Sequence, residues 1–314
     1  RGPRLNLYVC RLTDLRSKPF CDDRMESSAR HRRHFITHER CQQGTPARPR
    51  PITSCKTDSP FRNPWQMCHH SDLMYLSIVI PAFNEARLIE RTLQSVAASI
   101  ATNQQSGFTS EIIVVDNNST DNTAELARQA GARVVFEPVN QIGRARNAGA
   151  AHATGDWLLF LDADSLLSPG LLADILQLIE SGQYVGCGST LRMDGLPWWA
   201  NLTLQFWTSV SVLCRWAAGA LVVCRRDAFQ DVGGFDQELY ALDEIRLSKQ
   251  LKQWGRQRSL QFTILTGHPL DTSSRKVSLY SSREIALLIF RIFFLRKRTL
   301  QDKKHLSVWY DGRR

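Results

Sequence analysis

The sequence predicts an α/β fold on a mostly parallel central sheet, and three observations point there. Short apolar, β-branched runs at 76–80, 111–115, 133–136 and 157–161 alternate with segments of helical periodicity. The links between them are short, as in strand–helix–strand units whose sheet is covered on both faces. Three of the runs end in polar residues, Asn84-Glu85, Asp116-Asn117 and Asp162-Ala163-Asp164, at the carboxyl edge where such sheets take their ligands.

The elements follow in order. Pro81 ends the first run, and 85–100 has the spacing of an amphipathic helix. After the polar stretch 101–110 and the second run, Ser119 or Thr120 can cap a helix reaching about Ala130, which Gly131 closes. Strand 133–136, helix 143–152, strand 157–161 and a helix from Pro169 to about Glu180 complete the alternation. The pattern then loosens. Residues 184–192 and 220–223 read as strands, Gly233-Gly234 as a turn, and 242–254 as a helix with acids in its first turn. The Trp-rich stretch 198–216 is interrupted by Gln205 and Arg215, and reads as a buried helix beside a binding groove rather than a membrane span.

The chain carries 40 Lys and Arg against 30 Asp and Glu, a net charge of +10, which raises the question of a nucleic-acid or membrane partner. Residues 1–73 hold 14 of the basic and 7 of the acidic residues, so most of the excess lies there. That quarter has no helical or alternating periodicity. It carries Cys10, Cys21, Cys41, Cys55 and Cys68, and no two of these have the short gap of a structural zinc site. Its mixed charge, without interleaved aromatics, argues against nucleic acid. With no basic segment followed by an apolar one, it is not read as a secretory leader, and a cytoplasmic location is expected. The expectation is a start at Met74, with 1–73 a disordered or non-native upstream extension. Residues 74–270 then form the folded domain, split at about 180, and 271–314 an amphipathic helical tail. In that tail, the apolar run 285–295 followed by Arg296-Lys297-Arg298 suits a helix lying on an anionic membrane or one packing on the protein.

Asp162 and Asp164 carry the most chemistry. Two carboxylates one residue apart after a buried strand can share a divalent cation, which prefers hard oxygen ligands and can neutralise a diphosphate. An isolated Asp-Ala-Asp is more often a turn former. Its position at the ligand edge favours the site.

Here the chain resembles a family. The blocks Ile78-Val-Ile-Pro-Ala-Phe-Asn-Glu85, Glu111-Ile-Ile-Val-Val-Asp-Asn-Asn-Ser-Thr-Asp121, Gly143-Arg-Ala-Arg-Asn-Ala-Gly149 and Gly155-Asp-Trp-Leu-Leu-Phe-Leu-Asp-Ala-Asp164 are similar to those of family 2 glycosyltransferases. So are Gly219-Ala-Leu, the Arg225 to Asp236 block and Asp243-Glu-Ile-Arg-Leu-Ser248. The resemblance spans about 76–256. It implies the GT-A fold, a nucleotide-sugar donor, Mg²⁺ or Mn²⁺, inversion at the anomeric carbon, and a carbohydrate or lipid-linked acceptor. It matches Pro81, Phe83 and Glu85 to the segment lining base and ribose, and Asp116 to the acid that bonds the base. Arg144, Arg146 and Asn147 match the block near the donor phosphates. Asp162 matches the ribose- or metal-side acid and Asp164 the metal ligand. Relatives usually present Glu-Asp where this chain has Asp243-Glu244, so the base assignment falls on this pair; the longer Glu244 is favoured over Asp243 for reach. Both acids would also suit a helix N-terminus with no catalytic part. His268-Pro269 and Arg275-Lys276, in a loop-rich region, are further candidates near the diphosphate or metal. With lipid-linked acceptors common in the family, the segment 284–298 becomes a candidate contact with the cytoplasmic face of a membrane.

Two other readings fit the sequence less well. A nucleotidyltransferase would carry a Gly-rich basic loop where Ala82-Phe83-Asn84-Glu85 stands, and a non-catalytic, membrane-docked nucleotide-sugar-binding protein would not need the acids at 162, 164 and 243–244. A dinucleotide-binding dehydrogenase is weaker still, since no Gly-x-Gly-x-x-Gly follows the first strand.

Overall fold

The computed structural model describes residues 74–217 and 219–275. The expectations for 1–73 and for the tail beyond Arg275, including the segment 284–298, lie outside the described residues. Strands β1 (Met74–Ala82), β2 (Phe108–Asp116), β3 (Arg133–Phe136) and β4 (Trp157–Leu161) alternate with helices α1 (Ile89–Thr102), α2 (Thr123–Gln129) and α3 (Ile142–His152). The two-residue β5 (Ser165–Leu166) and α4 (Pro169–Glu180) follow, then β6 (Tyr184–Arg192), α5 (Trp198–Cys214), β7 (Leu221–Arg225), α6 (Arg226–Asp231), α7 (Asp243–Arg256) and β8 (Gln261–Thr272).

All eight strands join one sheet, in the order β3-β2-β1-β4-β7-β6-β8-β5. The first four in that order are parallel. Strand β7 then enters antiparallel to both β4 and β6, β6 and β8 are parallel, and β5 is antiparallel to β8. The expected mostly parallel sheet is therefore corrected to a mixed one. The reason is physical: Leu221–Arg225 is buried as a central strand, and an apolar run carries no mark of its direction.

Alternation along β1 sorts the core onto two faces. Leu76, Ile78 and Ile80 pack with Ile89, Leu93 and Val96 of α1 and with Leu171, Leu172 and Ile175 of α4. Val79, Ile113 and Val115 face Ala145 of α3, with Phe229 of α6 and Leu247 and Leu251 of α7 in the same cluster. The close seat of α3 depends on Gly149, where an added Cβ would stand 2.3 Å from Val79 Cγ1 and 2.9 Å from Val115 Cγ2.

Two further expectations are corrected. The loop-rich stretch around His268 belongs to β8, and its loop-like part is an irregularity: the pairing steps from Ser189 with Leu265 to Leu191 with Leu270, leaving Thr266, Gly267, His268 and Pro269 out of register. The Trp-rich stretch does form a helix, but not a buried one. Only Ala200 and Ser211 of α5 are buried, because α5 meets the sheet at β6 and β8 and none of its large apolar side chains is enclosed. Among the described residues no helix is long and apolar enough to cross a membrane.

Candidate active site

Strands β1, β2 and β4 end side by side. Ala82 pairs with Asp116 and Val79 with Phe160, so Pro81, Asp116 and Asp162 leave the sheet at nearly one level. The loops after β1 and β2 are stitched together. Asn84, at a positive φ of 53°, donates its N–H to Ser119 Oγ (3.0 Å) and accepts from the Thr120 N–H (2.7 Å). The Glu85 N–H reaches Thr123 Oγ1 at 2.8 Å. Ser119 and Thr120, expected as helix caps, serve instead to tie two loops. Asp116 accepts the Ser119 N–H at 3.0 Å, closing its own turn, and Phe83 lies half-buried beside it in this loop pair. Buried Asn117 holds the following segment, donating to the Glu137 and Val139 carbonyls and accepting from the Gln141 N–H. Glu85 is buried, and both its carboxylate oxygens receive Arg275 Nη2 at 2.9 and 2.8 Å, a link from beyond the end of β8.

The acidic turn after β4 is anchored through its backbone. The Asp162 N–H donates to the Ala220 carbonyl (3.0 Å), the Ala163 carbonyl accepts from Thr92 Oγ1 (2.8 Å), and the Asp164 carbonyl accepts from the Ser273 N–H (3.2 Å). The side chains of Asp162 and Asp164 are half-buried on this fixed turn.

Arg146 is the centre of the arrangement. Gly143, Arg146, Gly149 and Ala150 share the buried stripe of α3, so the guanidinium points inward. Nη2 donates to Asp162 at 2.9 Å, and Nη1 to Glu244 at 2.9 Å and Asp243 at 3.3 Å. The Phe235 ring lies 5.0 Å from the guanidinium carbon, and Phe235 packs edge-on against Phe160. Burial alone would weaken the charged form of Arg146, but the charges of Glu244, Asp162 and Asp243 outweigh it and hold the group cationic. One cation then faces three carboxyls. Burial first, and the Glu244 charge second, push the Asp243 carboxyl well above its usual range against the pull of Arg146, and a hydrogen bond between the two carboxyls adds to the rise. Asp243 thus favours its neutral form. Leu242, just before the pair, sits at φ 61°, a left-handed conformation that costs a non-glycine residue about 1–3 kcal/mol and sets the direction in which α7 begins.

The remaining predicted residues frame this cluster. Asn147 donates to the Phe235 carbonyl (2.8 Å) and accepts its N–H (2.9 Å), pinning the Gly233-Gly234 turn, where Gly234 has φ 70°. Arg144 reaches Glu137 and Gln237. The structure brings together Asp162, Arg146, Asp243 and Glu244, with Pro81, Asp116 and Asp164 at the same edge. It does not bring His268 there: its Nδ1 lies 2.9 Å from Asp174 of α4. Sequence reading missed the guanidinium as a hub, although the small residues three and four positions away marked its face as buried. It also missed Gln141, whose buried amide donates to the Gln237 and Leu239 carbonyls, and the Arg275–Glu85 pair, which no local pattern signals.

Among the described residues no group of three or more His, Cys, Asp or Glu side chains is disposed to hold a metal ion. Asp162 and Asp164 still fit one kind of cation. Two carboxylates on an anchored turn supply hard oxygens, and Asp162 can use one oxygen for Arg146 and the other for a second ligand. Such a pair suits Mg²⁺ or Mn²⁺ completed by water and diphosphate oxygens, not a cage made of protein alone.

Comparison with known proteins agrees with this fold. The sequence profile described as glycosyl transferase family 2 matches residues 77–233. A glycosyltransferase of Mycobacterium tuberculosis is 30% identical over 175 residues, covering 52% of this chain and 72% of that protein. A mannosyltransferase of Pyrobaculum calidifontis, solved with GDP-Man and Mn²⁺, superposes with a TM-score of 0.54 at 19% identity, over 80% of this chain and 67% of that one. The glucosyl-3-phosphoglycerate synthase of Mycobacterium tuberculosis, solved with Mn²⁺ and UDP-glucose, gives 0.51 at 22% identity, over 73% and 81%. At these identities the two structures speak for the fold.

Proposed function

This chain belongs to glycosyl transferase family 2, and on that premise we propose that it transfers a sugar with inversion to an acceptor hydroxyl, Glu244 taking the hydroxyl proton. It is a glycosyltransferase of GT-A type that uses a nucleotide-diphosphate sugar. The observation that carries the finer reading is the Arg146 guanidinium, which joins the donor-side acid Asp162 to the acceptor-side pair Asp243 and Glu244.

In this reading Pro81, Phe83, Glu85 and Asp116 receive the base and ribose at the ends of β1 and β2. Asp162 and Asp164 would hold Mg²⁺ or Mn²⁺, which when bound supplies neutralisation of the diphosphate charge. The Mn²⁺ named in the two related structures supports that choice. Arg144 and Asn147 act by holding the segment from the Gly233-Gly234 turn to Gln237 beside the reacting groups. The acceptor oxygen attacks the anomeric carbon, the bond from that carbon to the diphosphate oxygen breaks, and its electron pair leaves on the diphosphate. The hydroxyl proton passes to Glu244. Burial and the neighbouring charge hold the Asp243 carboxyl above its usual range, and Glu244, with 15% of its side chain exposed, is the more accessible member of the pair. A positioned base of this kind contributes about 10²–10⁴-fold.

A screen of UDP-, GDP- and dTDP-sugars with and without Mn²⁺ tests the reading. Metal-dependent release of at least one nucleoside diphosphate is expected. A folded chain that turns over none of these donors under either condition contradicts it.

A further inference from the structure

Helix α5 has no place in the chemistry above, yet it carries an unusual surface. Its seventeen residues, Trp198–Cys214, contain no charged side chain. Trp198 is 80% exposed, Leu202 62%, Phe206 66% and Leu213 85%. At 3.6 residues per turn these four fall within about 80° of arc, a single outward stripe. A helix of this length spans only about 25 Å and is too short to cross a bilayer comfortably.

Among the described residues, the charged groups placed at its C-terminal end are cations. Lys252 Nζ donates to the Cys214 carbonyl at 2.7 Å, and Lys249 Nζ stands 4.5 Å over the Trp216 ring. Partial burial lowers the Lys252 ammonium, and Arg256, Arg215 and Lys249 lower it further, which places four cations in one neighbourhood. One lysine is enough to satisfy a helix terminus. Arg215, Lys249 and Arg256 stay exposed and are free to meet a further anionic group. A protein interface would be expected to offer charges of both signs around an apolar centre. Tryptophan, phenylalanine and leucine on one stripe, beside this group of cations, match the boundary of an anionic bilayer.

We propose that the outward face of α5 docks the protein on an anionic membrane, with Trp198, Leu202, Phe206 and Leu213 entering the acyl boundary and Arg215, Lys249, Lys252 and Arg256 meeting lipid phosphates. The flank of α5 adjoining this stripe, Leu213 included, lines a cavity of about 820 Å³ whose polar wall includes Asn201, Gln205, Thr208, Ser209 and Thr190. Docking therefore brings this cavity to the lipid surface. The proposal stands independently of the assignment of Glu244.

Sedimentation of the full chain with phosphatidylcholine vesicles, with and without about one third phosphatidylglycerol, tests it. Binding is expected on the anionic vesicles and to weaken with salt. The triple variant W198S/F206S/L213S, all exposed positions, is expected to lose roughly tenfold or more in partitioning, since three buried apolar side chains are removed. K249Q/R256Q is expected to lose about fivefold per charge on anionic vesicles and nothing on neutral ones. F136S, another exposed apolar position, on β3, is expected to bind like the parent. Absence of binding by the parent overturns the proposal. So does equal binding by the triple variant, which would locate any membrane contact elsewhere. A parent that is dimeric without vesicles, and becomes monomeric in the triple variant, overturns it in favour of a second copy as the occupant.

Discussion

All five residues of β4 are buried, whereas the seventeen of α5 bury only two. The first element lies between β1 and β7 in the middle of the sheet, covered by helices on both faces. The second lies where the sheet has turned mixed and only one side of the helix is covered. The contrast separates two tasks. The region from β1 to β4 holds loops and an acidic turn rigidly at one edge, each by several named hydrogen bonds. The region after β6 presents an apolar surface and, besides the pairing of β7 with β4, is tied to the first by the side chains of Arg146, Gln141 and Asn147. Positioned chemistry needs the first kind of construction, and contact with a partner needs the second.

The sharpest way to break this connection is at Arg146. Arg146→Ala leaves Asp162, Asp243 and Glu244 crowded without their cation, and should cost about 3–5 kcal/mol and essentially all transfer. Arg146→Lys keeps the charge but loses the fork, and should recover part of the stability and little of the rate. Thermal unfolding with turnover measured in parallel separates the two effects.

Next come the paired acids. Asp243→Asn mimics the neutral form favoured by burial, so its stability near neutral pH should equal or exceed the parent's. The sign follows from proton uptake. A carboxyl whose native value is raised binds more protons folded than unfolded, so its contribution falls as pH rises above its ordinary 3.8, until the native value is passed. Melting curves from about pH 4 upward should therefore decline in the parent, with that part of the slope absent in Asp243→Asn. An unchanged slope would mean that Asp243 is ionised in the fold.

Smaller effects probe the framework. Gly149→Ala forces a methyl against Val79 and Val115 and should cost about 1–3 kcal/mol. Phe206→Ser on α5 should change stability by no more than about 0.5 kcal/mol, because its side chain is 66% exposed. A large loss at Phe206 would place α5 in the core after all.

The same contrast governs what could be read from the sequence. Strands β3 and β4, helix α4 and strand β6 lie within the residues expected, because each is a periodic or β-branched run closed by Gly, Pro or a capping Ser. Ser168 does cap α4, accepting the Leu171 N–H. The direction of β7 was hidden, since a buried antiparallel strand and a buried parallel one have the same composition. Strand β8 was hidden by Gly267, His268 and Pro269, which sit out of register inside it. At the site, the acids at 162, 164, 243 and 244 were legible as residues. Their union was not, because Arg146 reads as one of two arginines on a helix until its neighbours Gly143, Gly149 and Ala150 are seen to turn it inward. Exposure of α5 was misjudged for a related reason: apolarity specifies a preference for leaving water, not what provides the cover.

One measurement bears on the central claim most directly. Donor binding by titration calorimetry, with Mn²⁺, can be paired with single-turnover transfer for the parent, Glu244→Gln and Asp164→Ala. The account predicts that Glu244→Gln binds donor as tightly as the parent and transfers about 10²–10⁴-fold more slowly, while Asp164→Ala loses metal-dependent binding. Transfer at the parent rate by Glu244→Gln, or metal-dependent donor binding intact in Asp164→Ala, would contradict it.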